Sequence, residues 1–382
     1  MWTPGYMDEP FDWYREMIST HRIFKDDSGL YVFGYSQCKS ILSNFKIFSS
    51  QFRDFMAPEV AAQLNSMASA SILISDPPRH TKMRNLVNRA FTSRKIASYE
   101  NEIRKIASRL LERANDRSFD LVSSFSVPLP VLVISRMLGV PEEHLPKFKE
   151  WSDKLANALG KFGVDMKLQE EMANYFGQLI EARSKKPVED IISMLIQSEV
   201  DGEKLTKQDI VGFSILLLAA GNETTTNLIT NGVLTLSENP GAFELLRNLP
   251  ETIPSTVEEV LRFRSPVQST RRIVTEDYDI EGIRLKRGDF VKVFIGSANR
   301  DSKVFSDPER FIPQRADNRH IAFGEGIHFC LGAPLARLEG RIAFETLTER
   351  YRDLDVEKPL PADRLDSDIM YGYNKLIVHG RT

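Results

Sequence analysis

Thr206-Lys207-Gln208-Asp209 opens the stretch that most restricts how this chain can fold. A threonine followed three residues later by an acid resembles a capping box, with Asp in place of Glu. A helical pattern then runs from about Lys207 to Leu236 and stops at Asn239-Pro240-Gly241. Its first half, Ile210 to Ala220, is apolar nearly all round, so it is expected in the interior. Ala220-Gly221-Asn222-Glu223-Thr224-Thr225-Thr226 then puts an acid and hydroxyls into the middle of it. A buried carboxylate is costly unless it is paired or used. Hydroxyls in a helix can bond back to the carbonyl one turn earlier and bend it. Gly221 would remove bulk where a flat group approaches. From these residues alone, a kinked helix with a satisfied polar patch and a chemical site are both open.

The second constraint is Phe323-Gly324-Glu325-Gly326-Ile327-His328-Phe329-Cys330-Leu331-Gly332, which holds one of the chain's 2 cysteines. Its glycines allow sharp turns with exposed N–H groups. Ala333-Pro334-Leu335-Ala336-Arg337-Leu338-Glu339 follows and reads as a helix start, with Pro334 in its first turn. A helix N-terminus favours thiolate over thiol, and a thiolate is the ligand haem iron uses for oxygen chemistry. Taken singly, Cys330 reads more readily as a buried free thiol near a turn. A third stretch is Asp76-Pro77-Pro78-Arg79-His80-Thr81-Lys82-Met83-Arg84. Its prolines launch a helix to about Phe91, on which His80 and Arg84 share a face.

Together, F-G-x-G-x-H-x-C-x-G with A-x-x-L-A-R-x-E, D-P-P-x-H-x-x-x-R and A-G-x-E-T-T resemble the cytochrome P450 family. The likeness covers nearly the whole chain. It is nearest in type to the soluble, single-domain prokaryotic members, especially short thermophilic archaeal ones. The resemblance implies a mainly α fold with a small β lobe, and haem between the long helix and the cysteine helix. Residues 1–382 would form one domain, β-rich near 29–35, 267–296 and the C-terminus. Cys330 would be the axial iron ligand, with Gly332 in the same cofactor loop and Phe323 packing below the porphyrin beside the sulfur. His328, His80, Arg84 and Arg272 would serve the propionates, with Arg271 a rival to Arg272. Ala220 and Gly221 would flank the oxygen pocket. Thr224 would hydrogen-bond the dioxygen being activated, and Glu223 would feed protons through Thr224 or water.

The resemblance also places an E-x-x-R pair, Glu259 and Arg262, in a structural lock with Arg310 as third member. It implies a substrate pocket drawn from Ile72, Leu73, Leu155, Leu159, Leu216, Ala220, Thr224, Val267, Thr270, Met370 and Tyr371. Residues 50 to 75 would close over that pocket, and Ala158 and Phe162 would join Leu155 and Leu159 in a lid. On the residues alone, Leu155, Ala158, Leu159 and Phe162 read equally as core. The implied activity is a haem-thiolate monooxygenase carrying haem b and taking O2, a small hydrophobic organic substrate and electrons from a ferredoxin-type donor with its reductase. Lys82, Arg89, Arg337 and Arg341 would form a basic docking face for that donor.

Composition narrows the rest. Net charge is -3, so a nucleic-acid binder is not suggested. Cys38 and Cys330 lie far apart, which argues against a disulfide framework and fits a reducing compartment. The first residues lack a basic and apolar leader, and the longest apolar run is too short to span a bilayer. A soluble, cytoplasmic monomer without membrane contact is expected. Three rivals remain: a peroxide-using or rearranging enzyme of the same fold, a haem sensor or electron carrier, and a helical scaffold without haem. The Glu223–Thr224 pair speaks against the first, and an apolar pocket would speak against the second.

Overall fold

The computed structural model describes residues 9–55, 72–114, 117–158, 166–200 and 202–381. Its axis is the helix Lys207–Glu238, 32 residues long. At about 1.5 Å per residue it crosses the full width of a domain. The capping box forms as read: the Thr206 hydroxyl accepts from the Asp209 N–H, and the Asp209 carboxylate accepts from the Thr206 N–H. From Asn222 to Leu236 every residue except Thr224 is buried. Several of its polar groups find partners within the protein. Ser214 and Thr235 bond back to the carbonyls of Ile210 and Asn231. Asn231 donates to the carbonyls of Arg264 and Tyr371, and Thr226 to that of Ser126.

Helices surround this axis. Pro128–Met137, Met166–Lys185, Ala333–Arg350 and Ile253–Phe263 all pack on it. The β lobe is a five-stranded sheet in the order Ile23–Asp26, Gly29–Val32, Phe290–Phe294, Ser269–Val274, Phe48–Ser49. Gly29–Val32 and Phe290–Phe294 run parallel; the other neighbours are antiparallel. A second, three-stranded sheet joins Ser118–Asp120 to the C-terminal strands Asp353–Val356 and Ile377–Arg381. The mainly helical fold with a small β lobe agrees with expectation. Among the described residues no helix is long and apolar enough to cross a membrane.

The lock is present with one member exchanged. Glu259 and Arg262 are fully buried on one helix face and joined by two hydrogen bonds of 2.8 Å. The third side chain is Arg315, whose Nε lies 3.0 Å and 3.2 Å from the two Glu259 oxygens. Arg310 is exposed and contributes only its backbone carbonyl, which accepts from Arg262 and Arg315. The expectation of Arg310 is therefore corrected: Arg310 sits on the turn around which Arg315 folds back. The Ile312 N–H and Asn318 amide complete the shell around Glu259.

A second buried acid, Glu339, lies on the cysteine helix Ala333–Arg350, where it faces the long helix. Burial pushes its carboxyl up to about 8, tempered by the nearby Thr225 hydroxyl. Neither oxygen has a hydrogen-bond partner of good geometry.

Two measurements follow from this packing. Arg315→Ala strips a partner from a buried carboxylate and is expected to lower unfolding free energy by about 3–5 kcal/mol. Arg310→Ala keeps the carbonyl and should stay within about 0.5 kcal/mol of the parent. Urea unfolding of both reads the difference, and equal effects would sink the exchange of roles. Glu339 binds its proton more tightly folded than unfolded, so its stabilising contribution is complete below the unfolded value. That contribution is lost as pH rises towards about 8. Glu339→Gln should therefore gain on the parent between pH 5 and pH 8, by an amount on the order of 3 kcal/mol. A difference that does not change with pH would rule this out.

Candidate haem and oxygen site

The cysteine loop is shaped by its glycines. Gly324 and Gly326 adopt φ of 75° and 71°, the left-handed region that glycine enters without strain. At Gly326 a Cβ would come within 2.8 Å of the Leu42 carbonyl, so the loop also lies hard against the helix Tyr35–Ser43. The Cys330 N–H closes the turn on the Phe323 carbonyl at 2.8 Å. Burial raises the Cys330 thiol above its ordinary value, while N–H groups of Gly332 and Ala333, Arg84 and Arg337 pull it down. The N–H groups at the helix start act in the expected direction, towards thiolate, and desolvation outweighs them. A bound metal ion would reverse the balance, since a coordinating thiol is deprotonated outright.

Cys330 opens onto a cavity of about 1210 Å3. The long helix forms its ceiling through Leu216, Leu217, Ala220, Gly221, Thr224 and Thr225. Ala220 is exposed although it sits mid-helix, because the space beside it is the cavity. Thr224 donates to the Ala220 carbonyl at 2.8 Å, the back-bond expected of a helical hydroxyl. Glu223 is turned off the cavity wall and buried; burial pushes it up to about 7, and one of its oxygens has no partner. Gly221 lines the cavity with its backbone, but a Cβ there would meet Ile134 Cδ1 at 2.4 Å. Its missing side chain makes room for Ile134, and not for a flat group as the sequence suggested.

At the other end, donors converge. The rings of His80 and His328 stand 4.5 Å apart, and both His80 nitrogens and His328 Nε2 are buried without a hydrogen bond. Asp76 is 3.8 Å from His328 Nε2, beyond hydrogen bonding. Burial, with His328 and Arg84 alongside, holds His80 down to about 4. Arg84 donates to the Phe329 carbonyl at 2.7 Å. Arg272 reaches only the Arg271 carbonyl and the Thr270 hydroxyl, and burial draws it down to about 10. Arg271, next along the strand, is instead ion-paired with Asp368 at 2.8 Å. Phe323 lines the cavity beside Cys330, with the Arg337 guanidinium 4.5 Å from its ring.

These residues suit haem. A porphyrin brings two carboxylates, and here, among the described residues, two arginines and two histidines lack an acid within ion-pair distance except for Asp76. A buried orphan donor is expensive unless a ligand satisfies it. Among the described residues no cluster of His, Cys, Asp and Glu could hold a bare metal ion. A single cavity-facing sulfur fits iron delivered inside a macrocycle.

The expected pocket residues divide. Ile72, Leu73, Leu216, Ala220, Thr224, Val267 and Thr270 line the cavity. Leu155 does not: it is buried in the helical core. Met370 and Tyr371 also lie off the wall. Met370 bridges to Val267, and Tyr371 packs on Phe11 and Tyr373. The residues that reach the cavity from this turn are Asp368 and Ile369, just before them. Ile134, Met137 and Ile295 are lining residues that the sequence reading missed; each looks like ordinary core. Leu159, Phe162 and most of the segment 50 to 75 lie outside the described residues, as does the Ala158 side chain. Of the basic face, Lys82 pairs with Glu203, Arg337 with Glu258, and Arg341 with Glu100 and Glu345. Arg89 is exposed. The face carries less net positive charge than its cations suggest.

Comparison with known proteins bears on the family and the fold. The family model described as Cytochrome P450 matches residues 111–253 and 251–371. Cytochrome P450 109 of Bacillus spizizenii is 39% identical over 91% of this chain and 85% of its own length. Cytochrome P450 119 of the archaeon Sulfolobus acidocaldarius is 36% identical over 96% and 98%. The crystal structure of CYP109E1 from Bacillus megaterium with testosterone superposes with a TM-score of 0.89, at 42% identity, covering 98% of this chain and 100% of that one. The chain therefore belongs to the cytochrome P450 family of haem-iron monooxygenases.

Proposed function

We propose that this chain binds haem b through Cys330 and inserts one oxygen atom of O2 into a hydrophobic organic substrate, with electrons from a ferredoxin-type protein and its reductase. The observation that carries the reading is the pairing of a cavity-facing Cys330 with the unpartnered ring nitrogens of His80 and His328 and with Arg84 and Arg272, whose bonds go to neutral carbonyl and hydroxyl oxygens. Cys330 would hold the iron. His80, His328, Arg84 and Arg272 would hold the propionates, and Arg272 is the better candidate because Arg271 already has Asp368. When bound, the haem supplies reductive activation of dioxygen and delivery of one oxygen atom to carbon, the other leaving as water.

The protein's own groups do the rest. Leu216, Ala220, Val267 and Ile369 exclude water and receive apolar surface. The Thr224 hydroxyl, now spent on the Ala220 carbonyl, can turn to donate into the cavity at the small cost of one back-bond. Glu223, pushed up to about 7, can give and take a proton at neutral pH. It is one residue from Thr224 and reaches the cavity through a side-chain rotation or a water. The apolar wall suits a substrate of the size of testosterone, with which the CYP109E1 neighbour was solved. The exposed ring of Phe329, beside Cys330, together with Arg89, offers a docking spot for the electron donor. The cytoplasm is the compartment that fits 2 unpaired cysteines.

The ferrous–CO difference spectrum of purified wild type and Cys330→Ser tests haem and ligand together. A strongly red-shifted band that vanishes in the variant is expected; a band typical of histidine ligation in the wild type would overturn the assignment. For proton delivery, Thr224→Ala should keep consuming reductant while product per reductant falls about tenfold. Unchanged coupling would remove Thr224 from the path.

A further inference from the structure

The acid next to the lock serves a different partner. Glu258, one place before Glu259 on the helix Ile253–Phe263, takes the guanidinium of Arg337 with both oxygens. Arg337 Nε and Nη2 each donate at 2.8 Å. Arg337 stands on the cysteine helix Ala333–Arg350, so the pair ties the lock helix to the element that follows the sulfur.

A third group secures it. His320, from the segment that leads into the cysteine loop, places Nε2 3.1 Å from a Glu258 oxygen. The Ala322 N–H donates to its Nδ1 at 3.2 Å, which leaves Nε2 as the donor of the ring. The His320 side chain is 3% exposed. Burial alone would lift the Glu258 carboxyl, but the bonds from His320 and Arg337 outweigh it and hold it down to about 2, so the acid is ionised. A surface ion pair leaves its arginine free to move. Here a bidentate fork and a buried histidine fix the guanidinium plane.

The fixed charge lies against Phe323, 4.5 Å from the ring. Phe323 is tied to the sulfur loop: its carbonyl accepts the Cys330 N–H at 2.8 Å, and both residues line the cavity. Burial lifts the Cys330 thiol, and Arg337 is among the groups that pull against it. His320, Glu258, Arg337 and Phe323 thus form a chain of contacts that ends at the sulfur. Catalysis as described above uses none of the first three.

We propose that Glu258 and His320 are positioning residues that hold the Arg337 charge against Phe323, and that this charge sets how readily iron held by Cys330 accepts an electron. The inference rests on the haem reading. The step is a one-electron transfer from the donor protein to ferric iron, which becomes ferrous with no bond made or broken. The reduced form carries one positive charge fewer, so a nearby cation favours it and a nearby carboxylate opposes it. Arg337 and Glu258 therefore act with opposite signs.

Spectroelectrochemical titration of the holoenzyme tests this. Glu258→Gln keeps an acceptor for the guanidinium and removes the negative charge. It should shift the reduction equilibrium about fivefold towards ferrous, about 40 mV upward for one electron. Arg337→Met leaves Glu258 unanswered and should shift it about as far downward. Arg337→Lys keeps the charge and should stay nearer the parent than Arg337→Met. Combining Glu258→Gln with Arg337→Met should give a value between the two single variants. Misfolding cannot produce shifts of opposite sign. A pair with a structural role alone gives no shift, or the same sign in both single variants, and either result overturns the proposal. The ferrous–CO band of the same samples keeps the two readings apart. A thiolate-type band with unshifted potentials sinks the tuning role alone, and a missing band sinks the haem reading and this inference with it.

Discussion

A fully buried carboxylate has to be answered on every side, and Glu259 is. Arg262 on its own helix, Arg315, the Asn318 amide and the Ile312 N–H all converge on its two oxygens. The partners come from the segment that leads into the cysteine loop. Through Arg262 the same cluster also holds the carbonyls of Asn299, Pro308 and Arg310. An otherwise irregular stretch is thereby fixed without helix or strand. The loop that presents Cys330 starts from a rigid point, and rigidity there decides where the sulfur stands.

The long helix serves as core and as wall within a few residues. Most of its length is buried in the core, which accounts for an apolar composition with little amphipathic bias. At Ala220 and Thr224 it faces open space. The acid that chemistry would use, Glu223, points away from that space. Storing it in the core raises its proton affinity to about 7, a value a surface glutamate does not reach.

How much of this was legible in the sequence depends on how local the signal was. The capping box and the helix limits are written in adjacent residues and appear as read. The cysteine loop and its flanking donors form a dense motif, so Cys330, His328, His80 and Arg84 could be named together. Failures came where one residue's direction matters. Arg310 and Arg315 both follow Asp307-Pro308, and only the fold-back of the turn decides which guanidinium reaches Glu259. Met370 and Tyr371 differ from Ile369 in their place on the turn, and a turn's register is not visible in composition. Leu155 is apolar in a helix near the cavity, and its helix simply faces the core. The sequence-level conflict at Glu223 was real, and its meaning depended on burial.

The contact between Gly221 and Ile134 has a consequence for how such a pocket can diverge. Ile134 lines the cavity, and its Cδ1 occupies the space where a Gly221 Cβ would be. Pocket volume and the spacing between two helices are therefore one variable at this point. Trimming Ile134 to admit a larger substrate also leaves a gap in the helix interface, and adding bulk at Gly221 to fill that gap is limited by the room that trimming made. The two positions form a coupled pair, and adaptation to a new substrate on this side of the cavity has to change both in step.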